Sequence, residues 1–260
     1  MKVCIRLSFI FVSLLMIALG YTGQFFILYF SIFIHEMAHI LIAFIFKRKC
    51  EKIVFMPFGL YSEIASIEEL GIFKKCFIFI FPPILNLIFG VIFFKHQVGK
   101  INLCLGIFNL LPIYPLDFAR FLECVVGYFI GSIKGVRVVF KTGKIFMAFL
   151  FLFIIVESFI FEFSFLSFFL CLYLYREFLL YDVRLSYIFY SILFKKNNRK
   201  SKKRVFFISK EKSLKEVIKE LGFDFYSIFY VDGKIICEEK ILEFIKKRGL
   251  NFKMEDIFFF

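Results

Sequence analysis

Two long apolar runs, at residues 23–46 and 76–94, constrain this chain more than any other feature of its sequence. A helix needs about 20 predominantly apolar residues to cross a bilayer. Further apolar runs lie at residues 6–20, 101–130, 145–160 and 163–181. The composition agrees, because 61% of the 260 residues are hydrophobic, whereas soluble domains hold roughly 45–50%. The sequence therefore predicts an α-helical polytopic membrane protein with about six transmembrane helices.

The basic residues between these runs indicate how the helices are oriented. If both termini are cytoplasmic, the cytoplasmic segments carry basic clusters at 47–52 and 134–144, and the opposite side holds only Lys95 and Lys100. That asymmetry follows the positive-inside rule. A signal peptide cleaved near Gly20 is the alternative for the first run, and cleavage would invert the asymmetry. We therefore expect a multi-pass protein of the cell membrane with both termini in the cytoplasm.

The last quarter of the chain has the composition of a water-exposed domain. Residues 195–260 hold 17 of the 34 basic groups and 10 of the 21 acidic groups. We predict a transmembrane domain at 1–185, a basic linker at 186–204 and a small α+β cytoplasmic domain at 205–260. The linker is expected to contact anionic lipid. Nucleic-acid binding is not expected, because no reading element is interleaved with the basic residues.

Within that domain the pattern predicts a strand, a helix, a strand, a turn, a strand and a second helix. The first helix follows a capping-box pattern at Ser213–Glu216 and extends to about Leu221. Asp232 and Gly233 form a dipeptide that is typical of a hairpin turn. The second helix is predicted at 238–248.

Histidine and glutamate residues occur in the run at 23–46 within one short stretch, His35-Glu36-Met37-Ala38-His39. Residues i and i+4 share a helix face, so both imidazoles can bind one metal ion while Glu36 reaches a water molecule beside it. On a helix, the H-E-x-x-H pattern is typical of zinc metalloproteases. Ionisable side chains inside a spanning helix are costly and usually functional. The alternative is that these side chains only make hydrogen bonds to neighbouring helices.

A catalytic zinc site takes three protein ligands, so a third residue is needed. His96 lies in a short loop on the non-cytoplasmic side and is expected to be an ordinary loop residue. Asp117 is the better candidate, because it follows two prolines that break a hydrophobic segment and a carboxylate there needs a cationic partner. Two alternatives stay open: Asp117 could pair with Arg120, and Glu123 could be the ligand.

Three blocks of the chain resemble those of the site-two protease family of intramembrane zinc metallopeptidases, in the group typified by the stage IV sporulation protease FB. The first is H-E-x-x-H at 35–39; the family's N-x-x-P-x-x-P-L-D-G-G-R block resembles residues 109–120, and its G-P-x-x-N block resembles residues 82–86. Residues 56–59 resemble the family's membrane-reentrant loop. Two departures are visible, because Phe118-Ala119 replaces Gly-Gly and Pro82 replaces glycine.

The resemblance implies roles for six residues: His35, His39 and Asp117 bind one Zn²⁺, Glu36 activates water, and Asn86 and Asn109 lie near the substrate strand or the site. It also implies that the C-terminal domain is a short cystathionine beta-synthase (CBS) type module, which could bind ATP. The hairpin at 52–66 is expected to offer an edge to which an extended substrate adds as a strand. We would test that edge by substituting proline at Ile53 or Phe55.

The function expected from this resemblance is intramembrane proteolysis of a membrane-tethered protein. The resemblance implies a pro-sigma factor as the substrate, with an anti-sigma factor as the alternative, and inhibitory membrane proteins as partners. Two other functions stay open: an inactive membrane scaffold of the same fold, and a metal or cation transporter. The internal repeats of many transporters are not evident in the sequence. Assembly into a homo-oligomer is also left open.

Overall fold

The computed structural model describes residues 2–57, 59–160, 165–194 and 202–259. The helices are α1 (Leu7–Ala18), α2 (Thr22–Ile45), α3 (Ile72–Ile92), α4 (Gln97–Asn109), α5 (Asp117–Ile130), α6 (Ser132–Ile160), α7 (Phe165–Phe178), α8 (Tyr181–Phe194), α9 (Leu214–Val217) and α10 (Glu238–Arg248). The strands are β1 (Lys2–Ile5), β2 (Cys50–Met56), β3 (Gly59–Ile64), β4 (Lys202–Phe207), β5 (Phe225–Val231) and β6 (Lys234–Cys237). Short 3₁₀ turns lie at Ile67–Glu69, Ile218–Glu220 and Met254–Phe259.

The chain folds into two compact units. Unit 1 comprises Met1–Phe121 and Gly143–Tyr175, and unit 2 comprises Leu122–Thr142 and Arg176–Phe260. Helices α5 and α6 therefore contribute residues to both units. The domain boundaries drawn from the sequence stay a prediction, and the structure has the end of α8 and the start of β4 within the predicted linker at 186–204.

Three of the described helices are long and apolar enough to cross a bilayer, at Thr22–Ile45, Ile72–Ile92 and Ser132–Glu157. They indicate a membrane protein. Helix α1 is apolar but has 12 residues, which makes it about 18 Å long, short of a hydrocarbon core of about 30 Å. The predicted span at 163–181 overlaps α7, and residues 163 and 164 lie outside the described residues. The total of about six spans stays a prediction.

The helix break predicted within the run at 101–130 is confirmed, because α4 ends at Asn109 and α5 begins at Asp117. Pro112 and Pro115 lie between them, and proline both lacks an amide donor and disfavours the helical conformation of the residue before it. The predicted span at 145–160 begins earlier, since α6 starts at Ser132. Its first turns include the basic residues at 134–144, which are predicted to lie in a cytoplasmic segment between two spans.

The strands of unit 1 form a three-stranded sheet, sheet A, in the order β1-β2-β3. Strand β1 is parallel to β2, and β2 is antiparallel to β3. Ile53 and Leu60 pack with Ile32 of α2 in a small hydrophobic core. Tyr29 of α2 donates a hydrogen bond to the carbonyl of Met56, 2.8 Å away, at the hairpin turn. Sheet A is therefore fixed to the helix that carries the H-E-x-x-H stretch.

Helices α3 and α4 are antiparallel neighbours that pack very closely. A Cβ atom at Gly90 would lie 2.8 Å from the backbone of Leu103, and one at Gly106 would lie 2.8 Å from the side chain of Leu87. A larger residue at Gly90 would meet the backbone of α4 and push the helices apart, and one at Gly106 would have to displace the Leu87 side chain. The two glycines thus bring the polar faces of α3 and α4 within hydrogen-bond reach.

The strands of unit 2 form sheet B, in the order β4-β5-β6, with β4 parallel to β5 and β5 antiparallel to β6. Asp232 and Gly233 both have positive φ, at 47° and 78°, so the predicted hairpin turn is confirmed. The second predicted helix is confirmed as α10. The first is shorter than predicted, since α9 continues only as a 3₁₀ turn to Glu220 and the Ser213 side chain makes no capping bond.

Sheet B and its helices enclose an extensive hydrophobic core. Its fully buried members include Phe229, Leu214 and Ile241. Ile133 of α6 and Ile188 of α8 belong to the same core. The small α+β module is therefore part of a larger unit that also contains helical residues from upstream.

Candidate metal centre

Helix α2 presents His35 and His39 on one face, as the i, i+4 spacing requires. Both side chains are buried, with 4% of each residue exposed. Buried imidazoles in an apolar helix need polar partners. These partners come from α3 and α5, which are distant in sequence.

Asp117 supplies the shared partner of the two histidines. Its Oδ2 lies 2.9 Å from Nε2 of His35 and 3.1 Å from Nε2 of His39. All three residues are buried, and their candidate ligand atoms lie within 4.8 Å of one another. Among the described residues, this is the group that could hold a metal ion. The structure therefore brings together the three residues that the sequence nominated as ligands.

The donor set fits zinc. Two imidazole nitrogens and one carboxylate oxygen are typical of a catalytic zinc site, which leaves a fourth position for water. Three donors held about 2.1 Å from a zinc ion in tetrahedral geometry lie roughly 3.4 Å from one another. The separations of 2.9 and 3.1 Å between the histidine nitrogens and the Asp117 oxygen are close to that value.

The break between α4 and α5 explains how Asp117 reaches this position. Asp117 is the first residue of α5, directly after the segment that Pro112 and Pro115 keep out of helical conformation. A single helix from 101 to 130 would have continued past the site. The proline segment instead lets α5 start with its carboxylate directed at the α2 histidines.

Both alternatives for this region of the sequence are wrong. Arg120 does not pair with Asp117: its guanidinium lies 5.6 Å from the ring centre of Tyr61 and 5.8 Å from that of Phe79. Glu123 is not a ligand, because both of its carboxylate oxygens accept hydrogen bonds from Arg184 Nη2 in unit 2, at 3.0 and 2.9 Å. The charge of the Glu123 carboxylate is therefore already paired with the Arg184 guanidinium.

The remaining histidine lies outside the site. His96 is exposed and precedes α4 as its N-cap residue, with extended backbone. This agrees with the expectation of an ordinary loop residue. It makes His96 a useful control, because its removal changes the histidine content and leaves the candidate ligands in place.

The two asparagines that the resemblance nominated have different surroundings. The Oδ1 of Asn86 lies 3.0 Å from Nδ1 of His35, so Asn86 contacts the ring nitrogen opposite the one near Asp117. Asn109 donates a hydrogen bond to the carbonyl of Leu105, one turn earlier in α4, at 3.1 Å. Asn86 thus contacts a candidate ligand directly, and substrate binding by either residue stays a prediction.

Glu36 lies beside the histidines and is held by a residue that the sequence analysis missed. The hydroxyl of Ser62, on β3, donates a hydrogen bond of 2.7 Å to Glu36 Oε2. Glu36 is partly exposed, as a residue must be if it exchanges protons with water. A lone serine in a predicted hairpin gave no signal for this contact, because the contact depends on the register with which β3 packs against α2.

The departures from the family pattern at 118 and 119 leave the candidate ligands in contact. Phe118 is partly buried and stacks on Phe121, with ring centres 5.6 Å apart. Ala119 is completely buried. The bulk that replaces Gly-Gly therefore packs within α5, beside Asp117 and without displacing it from the two histidines.

Two further polar residues near the site were also missed. Ser31 and Asn102 are both buried, with 1% and 7% of each residue exposed, and they are linked by a hydrogen bond of 3.0 Å. Each is a polar residue within a predicted transmembrane run, which is a signal for a functional position. Their sequence positions gave no indication that they meet.

Comparisons with known proteins agree with this geometry. Zinc metalloprotease MJ0392 of Methanocaldococcus jannaschii is 26% identical to the chain over 168 residues, 55% of this chain and 49% of the relative. The chain thus spans about half the length of that curated relative. The solved structure of the site-2 protease from Methanocaldococcus jannaschii matches with a TM-score of 0.55 at 22% identity, over 68% of this chain and 90% of that one.

These likenesses bear on the fold. The structural match shows that this chain shares the fold of a membrane-embedded site-2 protease over about two thirds of its length. No protein-family model matches the chain.

Proposed function

We propose that this protein is an intramembrane zinc metalloendopeptidase of the site-2 protease type. The observation that carries the proposal is the buried cluster of His35, His39 and Asp117, with Glu36 adjoining it. The similarity to a zinc metalloprotease and to a site-2 protease supports the same conclusion. Membership of the sporulation protease FB group is a finer proposal, and it rests on the sequence blocks alone.

Each residue of the cluster has a distinct task in this mechanism. His35, His39 and Asp117 would hold the ion, which supplies acidity to a water molecule and polarises the carbonyl of the scissile peptide. Glu36 accepts the proton of the attacking water and later delivers it to the leaving amine. The hydrogen bond from Ser62 fixes the direction of the Glu36 carboxylate while it does so. The three ligands are buried, so they would hold the ion away from the protein surface.

Sheet A supports a route by which an extended substrate could be presented. Strand β2 is paired on both sides, so among the described strands the edge strand next to Glu36 is β3. The edge expected at 52–66 therefore narrows to Gly59–Ile64. Proline at Ile53 or Phe55 would disrupt the central strand and is a poor test. A photo-crosslinker in place of Tyr61, which is exposed, should label alternate substrate positions if a strand adds at this edge.

The substrate is proposed to be a protein tethered to the membrane, and a pro-sigma factor with inhibitory membrane partners is the specific proposal from the resemblance. ATP binding by a CBS-type module also rests on resemblance only. A transporter is less well supported, because the carboxylate of Glu36 is held beside the cluster and is not one of its ligands. An inactive scaffold would need no such arrangement.

The first experiment is zinc analysis of the full chain purified in detergent. We expect about one zinc per chain in the wild type and in His96→Ala, and loss of zinc in His35→Ala and Asp117→Ala. Glu36→Gln should retain zinc and lose cleavage of a membrane-tethered substrate. This combination separates a protease from a scaffold, for which Glu36→Gln would have no effect on function.

Two results would overturn the proposal. Absence of zinc from the metal-replete wild type would favour the scaffold. Full zinc content in Asp117→Ala would mean that the third ligand is a different residue. A transporter would instead bind zinc that exchanges rapidly, and its metal transit would continue in Glu36→Gln.

A further inference from the structure

A row of buried amides connects α4 to the candidate metal centre through α3. Asn86 and Asn102 are 2% and 7% exposed. Each is followed four residues later by a glycine that permits close helix packing, Gly90 on α3 and Gly106 on α4. An asparagine and a glycine four residues apart lie on the same face of a helix. The close approach of the helices therefore brings the two amides together.

Four contacts join the members of the row. Asn102 Nδ2 lies 2.9 Å from the carbonyl oxygen of Val98 and 3.0 Å from the Ser31 hydroxyl. Asn86 Nδ2 donates to Asn102 Oδ1 at 3.2 Å. His35 Nδ1 lies 3.0 Å from Asn86 Oδ1. The row thus begins at a backbone carbonyl of α4 and ends at a candidate ligand on α2.

The backbone carbonyl of Val98 determines how each side-chain amide in the row is oriented. A carbonyl oxygen can only accept, so the atom of Asn102 that faces Val98 must be the NH₂ group. The Oδ1 of Asn102 then faces Asn86 and needs a donor, which among the described residues is the Asn86 NH₂ group. With its NH₂ group used in this way, Asn86 turns its Oδ1 toward His35. Each amide orientation follows from the one before it.

The end of the row determines which nitrogen of His35 carries hydrogen. Facing an acceptor, Nδ1 must be an N–H donor, which leaves Nε2 as the nitrogen with the lone pair in the neutral ring. Nε2 is the atom that lies near Asp117 and His39. A histidine ligand whose other nitrogen donates to a fixed acceptor is oriented and made more basic by that bond.

We propose that Asn102 is a positioning residue for the metal centre: through Asn86, it fixes the tautomer and orientation of His35. The inference rests on the proposed function, because it concerns a ligand of the proposed zinc ion. The hydrogen bonds of Asn102 go to Val98, Ser31 and Asn86, and the one to Asn86 leads on to the His35 ring. Without Asn102, the Asn86 amide is free to rotate and to present its NH₂ group to His35, which opposes the tautomer that the site needs.

The test compares zinc affinity in variants of the full chain in detergent, by competition with a chelator. Asn102→Leu keeps a similar volume and removes both polar groups, and we expect it to weaken zinc binding by about 10–100-fold. Ser13→Ala is the matched control, because it also deletes a side-chain bond to a carbonyl one turn earlier, 2.8 Å long, in a helix away from the row. We expect the affinity of that variant to equal that of the wild type.

A rescue variant separates orientation from packing. In Asn86→Asp/Asn102→Leu, residue 86 has two acceptor oxygens and no donor, so it presents an acceptor to His35 in any orientation. We expect its zinc affinity to return to within a few-fold of the wild type. The chain has three histidines, so ¹⁵N-histidine NMR of the zinc-loaded protein gives a second readout. The Nδ1–H signal of His35 should be present in the wild type and in the double variant, and lost or shifted in Asn102→Leu.

The outcomes distinguish this inference from the proposed function. Zinc binding by the wild type together with unchanged affinity in Asn102→Leu would overturn the inference and leave the protease proposal standing. Failure of the double variant to recover would overturn it as well, since the loss would then come from packing. Absence of zinc from the wild type would overturn the proposed function, and this inference with it.

Discussion

Sheets A and B have the same strand order and the same directions. In each, the first strand is parallel to the second, and the second is antiparallel to the third. They differ in what joins the parallel pair. In sheet A the connection contains α1 and the 24-residue helix α2, whereas in sheet B it contains the four-residue helix α9 and one 3₁₀ turn.

The two sheets also use their faces differently. Strand β5 of sheet B alternates strictly between buried and partly exposed residues, so that one face builds the core. Sheet A buries few residues, and its edge strand β3 directs Ser62 at Glu36. The comparison teaches that strand topology alone does not assign a role. Sheet B stabilises the fold, because one of its faces is continuously buried. Sheet A contributes to the candidate site, because Ser62 on its edge strand contacts Glu36.

The largest effect is expected from Phe229→Ala. Phe229 is fully buried in the core of sheet B, and truncation of a buried phenylalanine costs about 3–5 kcal/mol. Limited proteolysis of the full chain should cut this variant much faster than the wild type between 202 and 259, while its zinc content stays the same. Loss of zinc in this variant would show that metal binding depends on the core of sheet B.

A smaller loss of stability is expected from Gly233→Ala in the hairpin turn of sheet B. Gly233 has a φ of 78°, and the space that a Cβ atom would occupy there is open, so the penalty is purely conformational, about 1–2 kcal/mol. The urea midpoint of the module should fall accordingly. Gly71→Ala is the control, because Gly71 has a φ of −63° and equally open surroundings. An equal shift in both variants would contradict the role of the turn.

Ser62→Ala tests the contribution of sheet A to the candidate site. It removes the hydrogen bond to Glu36 and leaves the sheet and the ligand cluster in place. Hydrogen bonds to charged groups are worth about 1.5–3 kcal/mol, and we expect the cleavage rate to fall about 10-fold without change in zinc content or stability. Ser62→Thr, which keeps a hydroxyl, should recover most of the rate. A full rate in Ser62→Ala would remove sheet A from the catalytic mechanism.

The smallest effect concerns Glu243 on α10. Its hydrogen bond and ion pair with Lys247, 2.8 Å away, lower the pKa of the Glu243 carboxyl. A lowered pKa in the folded state adds stability at neutral pH, and that stability is lost as the pH falls through the folded value. The urea midpoint should therefore decrease slightly more in the wild type than in Glu243→Gln between pH 7 and about pH 3. High salt should reduce the difference.

The sequence was most informative where a pattern is local. The spacing of His35 and His39 determines their common face, and Asp232 with Gly233 specifies the hairpin turn. Asp117 could be nominated because two prolines precede it and a carboxylate in an apolar segment needs a partner. Each of these inferences depends on a few neighbouring residues, so no knowledge of the tertiary packing was required.

The features that the sequence did not predict depend on contacts between segments that are distant along the chain. Ser62 lies 26 residues from Glu36, and Asn102 lies 71 residues from Ser31. Glu123 seemed available as a ligand because its partner, Arg184, is 61 residues away. Helix packing and strand register decide such pairs, and a single sequence contains no local signal for either.

The cluster of His35, His39 and Asp117 also bears on the stability of the protein. Asp117 lies 78 residues beyond His39, so an ion shared by these side chains would tie distant parts of the chain together, as a disulfide does. Closing a loop of that size restrains the unfolded chain by about 4–5 kcal/mol. The loop that the ion would close contains β2, β3, α3 and α4. The zinc supply of the cell would govern how long the protein survives as well as how fast it cuts.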